Sequence, residues 1–364
     1  MTQYDVAIIG AGIAGASLAA ELAPHLSVVI LETEAQPGYH ATGRSNAFWH
    51  QTYGGPLIEP LTTASLEWLR DSGFLHKRGA LTLAREEDQG ALDGFVDGFA
   101  GSGVALEMLG RGALVERVPG LRPEWDRAVY EDECYDIDVA AYHAACLRTA
   151  KRHGAVLVTN AQLQQAEREG AAWQLSTRGR DFAAGLIVNA AGAWADDVAR
   201  TAGAASLGIQ PYRRTIVQLL VDAEVPADLP LVIDVSGNFY FKPESGRVWL
   251  SPHDETATPP CDAAPEEYDI ALAIDRFECV VDWPLRRVEH SWAGLRSFAP
   301  DRLPVYGFDT GCDGFFWCAG QGGFGIQTAP AAAKLAASIL LNATPDHMIA
   351  GIDPARYAPG RFTG

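Results

Sequence analysis

Residues 4–32 read YDVAIIGAGIAGASLAAELAPHLSVVILE, and the reading of this stretch decides the fold. Tyr4 to Ile9 is a short apolar, β-branched run of the kind buried in parallel sheets, and the alanine- and leucine-rich segment after the glycines has the composition of a helix. SVVILE supplies a second strand ending on Glu32, about twenty residues beyond Gly12, the spacing of a dinucleotide fingerprint. Each residue type has a physical reason. Gly10 permits a tight turn, Gly12 lets a pyrophosphate approach the backbone, and Gly15 lets the helix pack closely on the strand. Ile13 and Ala14 open the helix, where unpaired N–H groups and partial positive charge face a phosphate, and Glu32 is placed to accept hydrogen bonds from a ribose. The fingerprint alone fits NAD and FAD equally.

Composition bounds what surrounds this unit. A chain of 364 residues with 48% hydrophobic content is enough for a sizeable core in one large domain or two. Lys and Arg number 28 against 46 Asp and Glu, and the net charge of −18 argues against binding nucleic acid or an anionic membrane. Cys134, Cys146, Cys261, Cys279, Cys312 and Cys318 show no CxxC and no metal-like spacing, so reduced thiols, no metal and a cytoplasmic location are expected. The first residues lack a basic region and their apolar run is broken by glycines, so neither a signal peptide nor a transmembrane segment is expected.

Further along, LTTASLEWLRD (61–71) fits an amphipathic helix and GALTLARE (79–86) a strand outside the βαβ pattern. The segment 87–134 reads as a helix, a loop containing VPGLRP and a hairpin. DVAAYHAACLRTAKRH (138–153) has an aspartate N-cap, helical periodicity and a basic last turn before Gly154. DFAAGLIVNAAGAWADDVA then gives a strand running into a glycine turn and another helix. The block 206–290 changes character: PYRRTIVQLLV, LPLVIDV, NFYFKP and RVWLSP are short strands separated by turn residues, a mostly antiparallel sheet. The expected fold is therefore α/β. A Rossmann-like nucleotide domain is assembled from 1–78, 135–205 and 291–364, interleaved with a substrate domain from 79–134 and 206–290.

Seven motifs in order along nearly the whole chain carry a resemblance: IIGAGIAGAS (8–17), EAQPGYHATGRS (34–45), VNAAGAWAD (188–196), IQPYRR (209–214), NFYFKP (238–243), HSWAGLRSF (290–298) and GFFWCAGQGGFGIQT (314–328). Together they resemble the D-amino-acid oxidase/glycine oxidase superfamily, most nearly its D-arginine dehydrogenase branch. The resemblance implies FAD rather than NAD. Thr42, Gly43, Arg44 and Ser45 then meet the cofactor, and Ala190, Ala191 and Gly192 make a second close backbone approach. Gly322, Gly323, Phe324, Gly325 and Ile326 set backbone N–H groups and a helix N-terminus beside the flavin pyrimidine. Sarcosine oxidases attach their flavin through a cysteine after the segment matching WAGLR; SFAPDRLPVYG has none, so non-covalent FAD is expected.

Oxidising an amino acid requires an anchored carboxylate, and Arg214 and Arg296 match the arginines with which this branch holds it, the forked guanidinium being the reason for arginine. With Arg213 adjacent, only one of the two can face the site. Tyr240 and Tyr53 match tyrosines that hydrogen-bond the carboxylate or shape the pocket, and the carbonyl of Gly323 is placed to accept a hydrogen bond from the amine. Departures bear on specificity: Ala80 stands where the D-arginine enzymes carry a glutamate, Phe48 where they carry a histidine, and His50 two residues on. These residues point to a dehydrogenase for neutral or apolar D-amino acids, with a quinone, another carrier or O2 as electron acceptor. An O2-using oxidase of glycine or secondary amines, a 2-hydroxy-acid dehydrogenase and a non-catalytic flavin protein remain as alternatives, and the oligomeric state is open.

Overall fold

The computed structural model describes residues 2–362. β1 (Thr2–Ile9), α1 (Ile13–Leu22) and β2 (Val28–Leu31) form the expected unit. The two strands run parallel, from Val6 opposite Val28 to Ile9 opposite Leu31. Asp181–Asn189 lies parallel on the other side of β1, and Phe315–Ala319 and Val156–Val158 extend the parallel core. Alternation sends neighbouring side chains to opposite layers. Val6, Ile8, Val28 and Ile30 pack with Leu18 and Leu22 of α1 and with Leu335 of the C-terminal helix Gly325–Leu340. Ala7, Ile9, Val29 and Leu31 pack with Trp173, Phe315 and Trp317. Burial on both faces explains the unbroken apolar runs. Each buried Val, Leu or Ile contributes about 1.5–3 kcal/mol, which holds the strand ends carrying the glycine turn rigid.

A second sheet has ten strands among the described residues. It is antiparallel except where Leu231–Asp234 runs parallel to Ala80–Arg85. Its long central strands, Gln210–Val221 and Leu285–Phe298, pair along their length with Tyr212 opposite Arg296 and Arg214 opposite Gly294. Phe48–His50, Leu75–Lys77 and Cys134–Ile137 make a small third sheet. The α/β class with a largely antiparallel second sheet is as expected.

Two local expectations fail. The end of 87–134 is not a hairpin: Trp125–Glu131 pairs with Ala80–Arg85 and Glu107–Gly110, whereas Cys134–Ile137 joins the small sheet. The carbonyl of Cys134 already accepts from the N–H groups of Arg78 and Gly79, which draws the chain away from its neighbour in sequence. The block 206–290 also contains a helix, Glu267–Glu278, whose Phe277 packs on Phe241 and Trp283. Among the described residues no helix is long and apolar enough to cross a membrane.

Candidate active site

A cleft with a cavity volume of about 630 Å³ opens at the carboxyl ends of the parallel strands, its wall running from Gly10, Glu32 and Ala190 to Arg214, Tyr240 and Arg296. Ligands of open α/β sheets sit at such strand ends. The glycine turn is there because nothing else fits. Gly10 has φ +104, and a Cβ on it would lie 2.5 Å from the carbonyl oxygen of Ala190; one on Gly15 would lie 2.0 Å from that of Gly10. Gly12, Ile13 and Ala14 line the cavity where the first turn of α1 has amides without intrahelical acceptors. Two neighbouring amides are tied back: Ala11 N–H donates to Glu32 Oε2 at 2.8 Å and Ile13 N–H to Thr42 Oγ1 at 3.0 Å. Glu32 thus fixes the turn as well as bordering the cleft, and an ionised carboxylate keeps further acceptor capacity for hydroxyls.

Most of the expected cofactor residues are on the wall: Thr42, Arg44 and Ser45 in one loop, Ala190, Ala191 and Gly192 in a second, Gly322, Gly323, Gly325 and Ile326 in a third. Gly15, Gly43 and Phe324 are not part of it. Gly43 supports the first loop through its N–H to Gly38 O at 2.7 Å, and the Phe324 ring packs on Tyr53 at 5.3 Å. The Arg44 guanidinium is committed within the protein, donating to Ala263 O at 2.8 Å and Ala293 O at 3.2 Å and pairing with Asp262.

At the other end stand the arginines. Alternation along Gln210–Val221 sends Arg213 outward, to Asp269 at 2.8 Å and to Glu266, and brings Arg214 to the cavity wall. Arg214 is buried; its Nε donates to Asp254 O at 2.8 Å and its Nη2 to Glu255 Oε1 at 3.2 Å. Its Nη1 is sealed from solvent with no hydrogen-bond partner among the described residues. Burial, and then the like charge of Arg296, pull this guanidinium down to about 10. Burial opposes the charge on Arg296 too, but Tyr53, Tyr240 and the acids Glu255 and Asp254 outweigh it and hold its pKa above the usual value. Arg296 has no hydrogen-bond or ion-pair partner among the described residues. Gly323 sits where Tyr53 and Arg296 converge: a Cβ there would be 2.9 Å from Tyr53 Oη and 3.1 Å from Arg296 Nη1. Phe48 closes the pocket, edge-on to Tyr53 at 5.2 Å and to Tyr240 at 5.9 Å.

His50 lies behind this wall rather than in it. Its Nε2 is 3.0 Å from Glu131 Oε2 and 3.1 Å from Thr52 Oγ1, all three side chains being buried. Glu131 also accepts from the N–H of Gln51 and the hydroxyl of Thr52, both at 2.8 Å, so it fastens the loop that presents Tyr53. Gln327 fastens the same loop from the other side, donating to Tyr53 O at 3.0 Å. Neither residue emerges from the sequence reading. Gln327 lies inside a quoted motif read for its glycines, and Glu131 has no local signal because its partners are about eighty residues away.

A glycine turn and helix N-terminus opening onto a paired-arginine pocket define an enzyme with a nucleotide cofactor. The family model "DAO: FAD dependent oxidoreductase" matches residues 5–339, and the chain belongs to that family of FAD-dependent oxidoreductases. It is 28% identical to a glycine oxidase of Geobacillus kaustophilus (strain HTA426) over 93% of each chain. The crystal structure of glycine oxidase from Geobacillus kaustophilus matches with a TM-score of 0.85, at 25% identity over 99% of both chains. A D-amino acid dehydrogenase of Azorhizobium caulinodans is 26% identical over 77% of this chain and 68% of its own. FAD is accordingly the cofactor, and the crowded Gly10 turn, the α1 N-terminus and the continuous cleft fit it.

Proposed function

We propose that the chain oxidises small D-amino acids with neutral or apolar side chains to the 2-imino acid, which water hydrolyses to the 2-oxo acid and ammonia. The observation that carries this reading is Arg214 Nη1, a buried charged donor without a hydrogen-bond partner among the described residues, beside Arg296, which has no hydrogen-bond or ion-pair partner among them. A substrate carboxylate supplies the missing acceptors and the missing negative charge. Bound FAD supplies the hydride acceptor. Arg214 and Arg296 fix the carboxylate, Tyr53 and Tyr240 donate to it, and the Gly323 carbonyl accepts from the amine, which orients Cα–H for transfer. Phe48, Tyr53 and Tyr240 keep water away.

Side-chain preference follows from the pocket's far wall. Phe48 and Tyr240 share an apolar cluster with Ala80, Ile216 and Leu231, which offers no carboxylate to a guanidinium or ammonium group. Leaving such a group unpaired costs several kcal/mol, on the order of the penalty for a buried charge after relaxation. Anaerobic mixing of the holoenzyme with D-alanine, D-methionine, D-leucine, D-phenylalanine and D-arginine tests this: the apolar substrates bleach the flavin absorbance with the higher kcat/KM. A clear preference for D-arginine overturns it. The length of the match to a glycine oxidase favours a second reading, an oxidase of glycine or secondary amines. Peroxide yield measured against reduction of an artificial acceptor separates the two. The proposed division into a FAD part (1–78, 135–205, 291–364) and a substrate part (79–134, 206–290) goes with this reading, with residues 290 and 291 both inside the strand Leu285–Phe298.

A further inference from the structure

We propose that Asn46 hydrogen-bonds the polar edge of the FAD ring system, an inference that rests on membership of the FAD family and not on the substrate reading above. Asn46 is 6% exposed, and neither its Oδ1 nor its Nδ2 has a hydrogen-bond partner among the described residues. Buried side-chain amides are otherwise paired, and an unpaired one destabilises the fold at both atoms. The residue is nonetheless part of the cavity wall, between Ser45 and Phe48 in sequence. Asn46 and Phe48 both line the cavity, whereas Trp49 packs into the apolar cluster with Ile13, Leu69 and Tyr142.

A primary amide offers a donor and an acceptor side by side. The ring edge of a flavin is complementary to it, with carbonyl oxygens and ring nitrogens that accept and an N–H that donates. The alternatives are poorer: a substrate carboxylate is matched to the arginine pair, and an apolar substrate side chain has nothing to bond. Asn46 is thereby a cofactor-binding residue that also influences how readily the flavin takes electrons.

Two variants test the assignment, with the apoprotein and the holoenzyme both measured. Asn46→Ala weakens FAD binding about tenfold, the value of one to two hydrogen bonds, as read by quenching of FAD fluorescence on titration with apoprotein. It also shifts the visible flavin absorption bands while leaving the melting temperature of the apoprotein no lower. Asn46→Asp keeps the shape and adds negative charge, and so lowers the flavin midpoint potential, which a purely structural asparagine would not do. Wild-type FAD affinity together with a wild-type spectrum in Asn46→Ala overturns the proposal. So does an unchanged potential in Asn46→Asp, or a raised KM for amino acids with flavin binding unaltered. If D-amino acids fail as substrates but these flavin readouts move as stated, the substrate reading falls and this one stands.

Discussion

Arg296 is the side chain whose replacement separates binding from chemistry most cleanly. Having no hydrogen-bond or ion-pair partner among the described residues, its guanidinium can turn its forked donors to a ligand, and lysine offers a single point charge instead. Arg296→Lys is expected to lower kcat/KM for a D-amino acid about 10–100-fold, the worth of a charge-assisted hydrogen bond, with most of the change in KM. Steady-state kinetics with the wild-type electron acceptor reads this directly, and a fall in kcat alone is the contrary result. A second expectation concerns protons. Among the described residues, the substrate end of the wall, Phe48, Tyr53, Arg214, Ile216, Tyr240 and Arg296, holds no carboxylate or imidazole to serve as a base. The substrate must therefore arrive with a neutral amine, and kcat/KM rises with pH as that amine loses its proton. Its midpoint should move between two substrates of different amine pKa; a midpoint common to both would reveal a titrating group of the enzyme. The arginines and tyrosines of this end sit in short motifs that the sequence displays, but alternation says only that one of Arg213 and Arg214 faces the cleft, and it is the ion pairs of Arg213 with Glu266 and Asp269 that turn it away. The placements of Asn46 and His50 were not legible: Asn46 precedes the strand Phe48–His50 and lines the cavity, whereas His50 is held behind the wall by Glu131 and Thr52, partners that sequence does not display.

Among the elements, the segment 252–266 shows which ion pairs matter. It runs from the second sheet, where the Asp254 carboxylate accepts from the N–H of Thr215 at 2.7 Å and its hydroxyl at 2.9 Å, to Asp262, which meets Arg44 of the flavin-side loop. Beyond it, Asp269 on the helix Glu267–Glu278 meets Arg213. The Asp262 side chain is 61% exposed and that of Asp269 only 7%. Surface pairs are worth about 0–1 kcal/mol, whereas removing one partner of a buried pair costs about 3–5 kcal/mol. Asp269→Ala should therefore lower the melting temperature by several degrees and Asp262→Ala barely change it, as thermal unfolding of the two variants would show. Equal effects would mean that Glu266 alone satisfies Arg213. The helix itself had a sequence signal, with Ile270, Ala273, Ile274 and Phe277 at helical spacing. Its neighbours' strand-like runs masked it. The false hairpin has a different origin: strand partners for Cys134–Ile137 come from Phe48–His50 and Leu75–Lys77, and local pattern carries no information about such distant competition.

On the scale of the whole molecule, the cleft is closed only when early, middle and late parts of the chain are in place. Gly10, Arg44, Ala190, Arg214, Arg296 and Gly322 all line it. A ligand filling it ties these pieces together, so FAD should raise the melting temperature of the apoprotein, by about 2.7 kcal/mol of stability at a hundredfold excess over its Kd. NAD at the same concentration should not. The attachment can be settled in the same preparation. No cysteine lines the cavity among the described residues, and the nearest motif cysteine, Cys318, is buried, with burial pushing its thiol up to about 12. A thiol held neutral and out of reach does not form a flavin bond, because the thiolate is the nucleophile. Acid precipitation should therefore leave a colourless pellet and a yellow supernatant. Colour retained in the washed pellet would place a covalent link on some other side chain of the wall, and mass spectrometry of the digested protein would identify it.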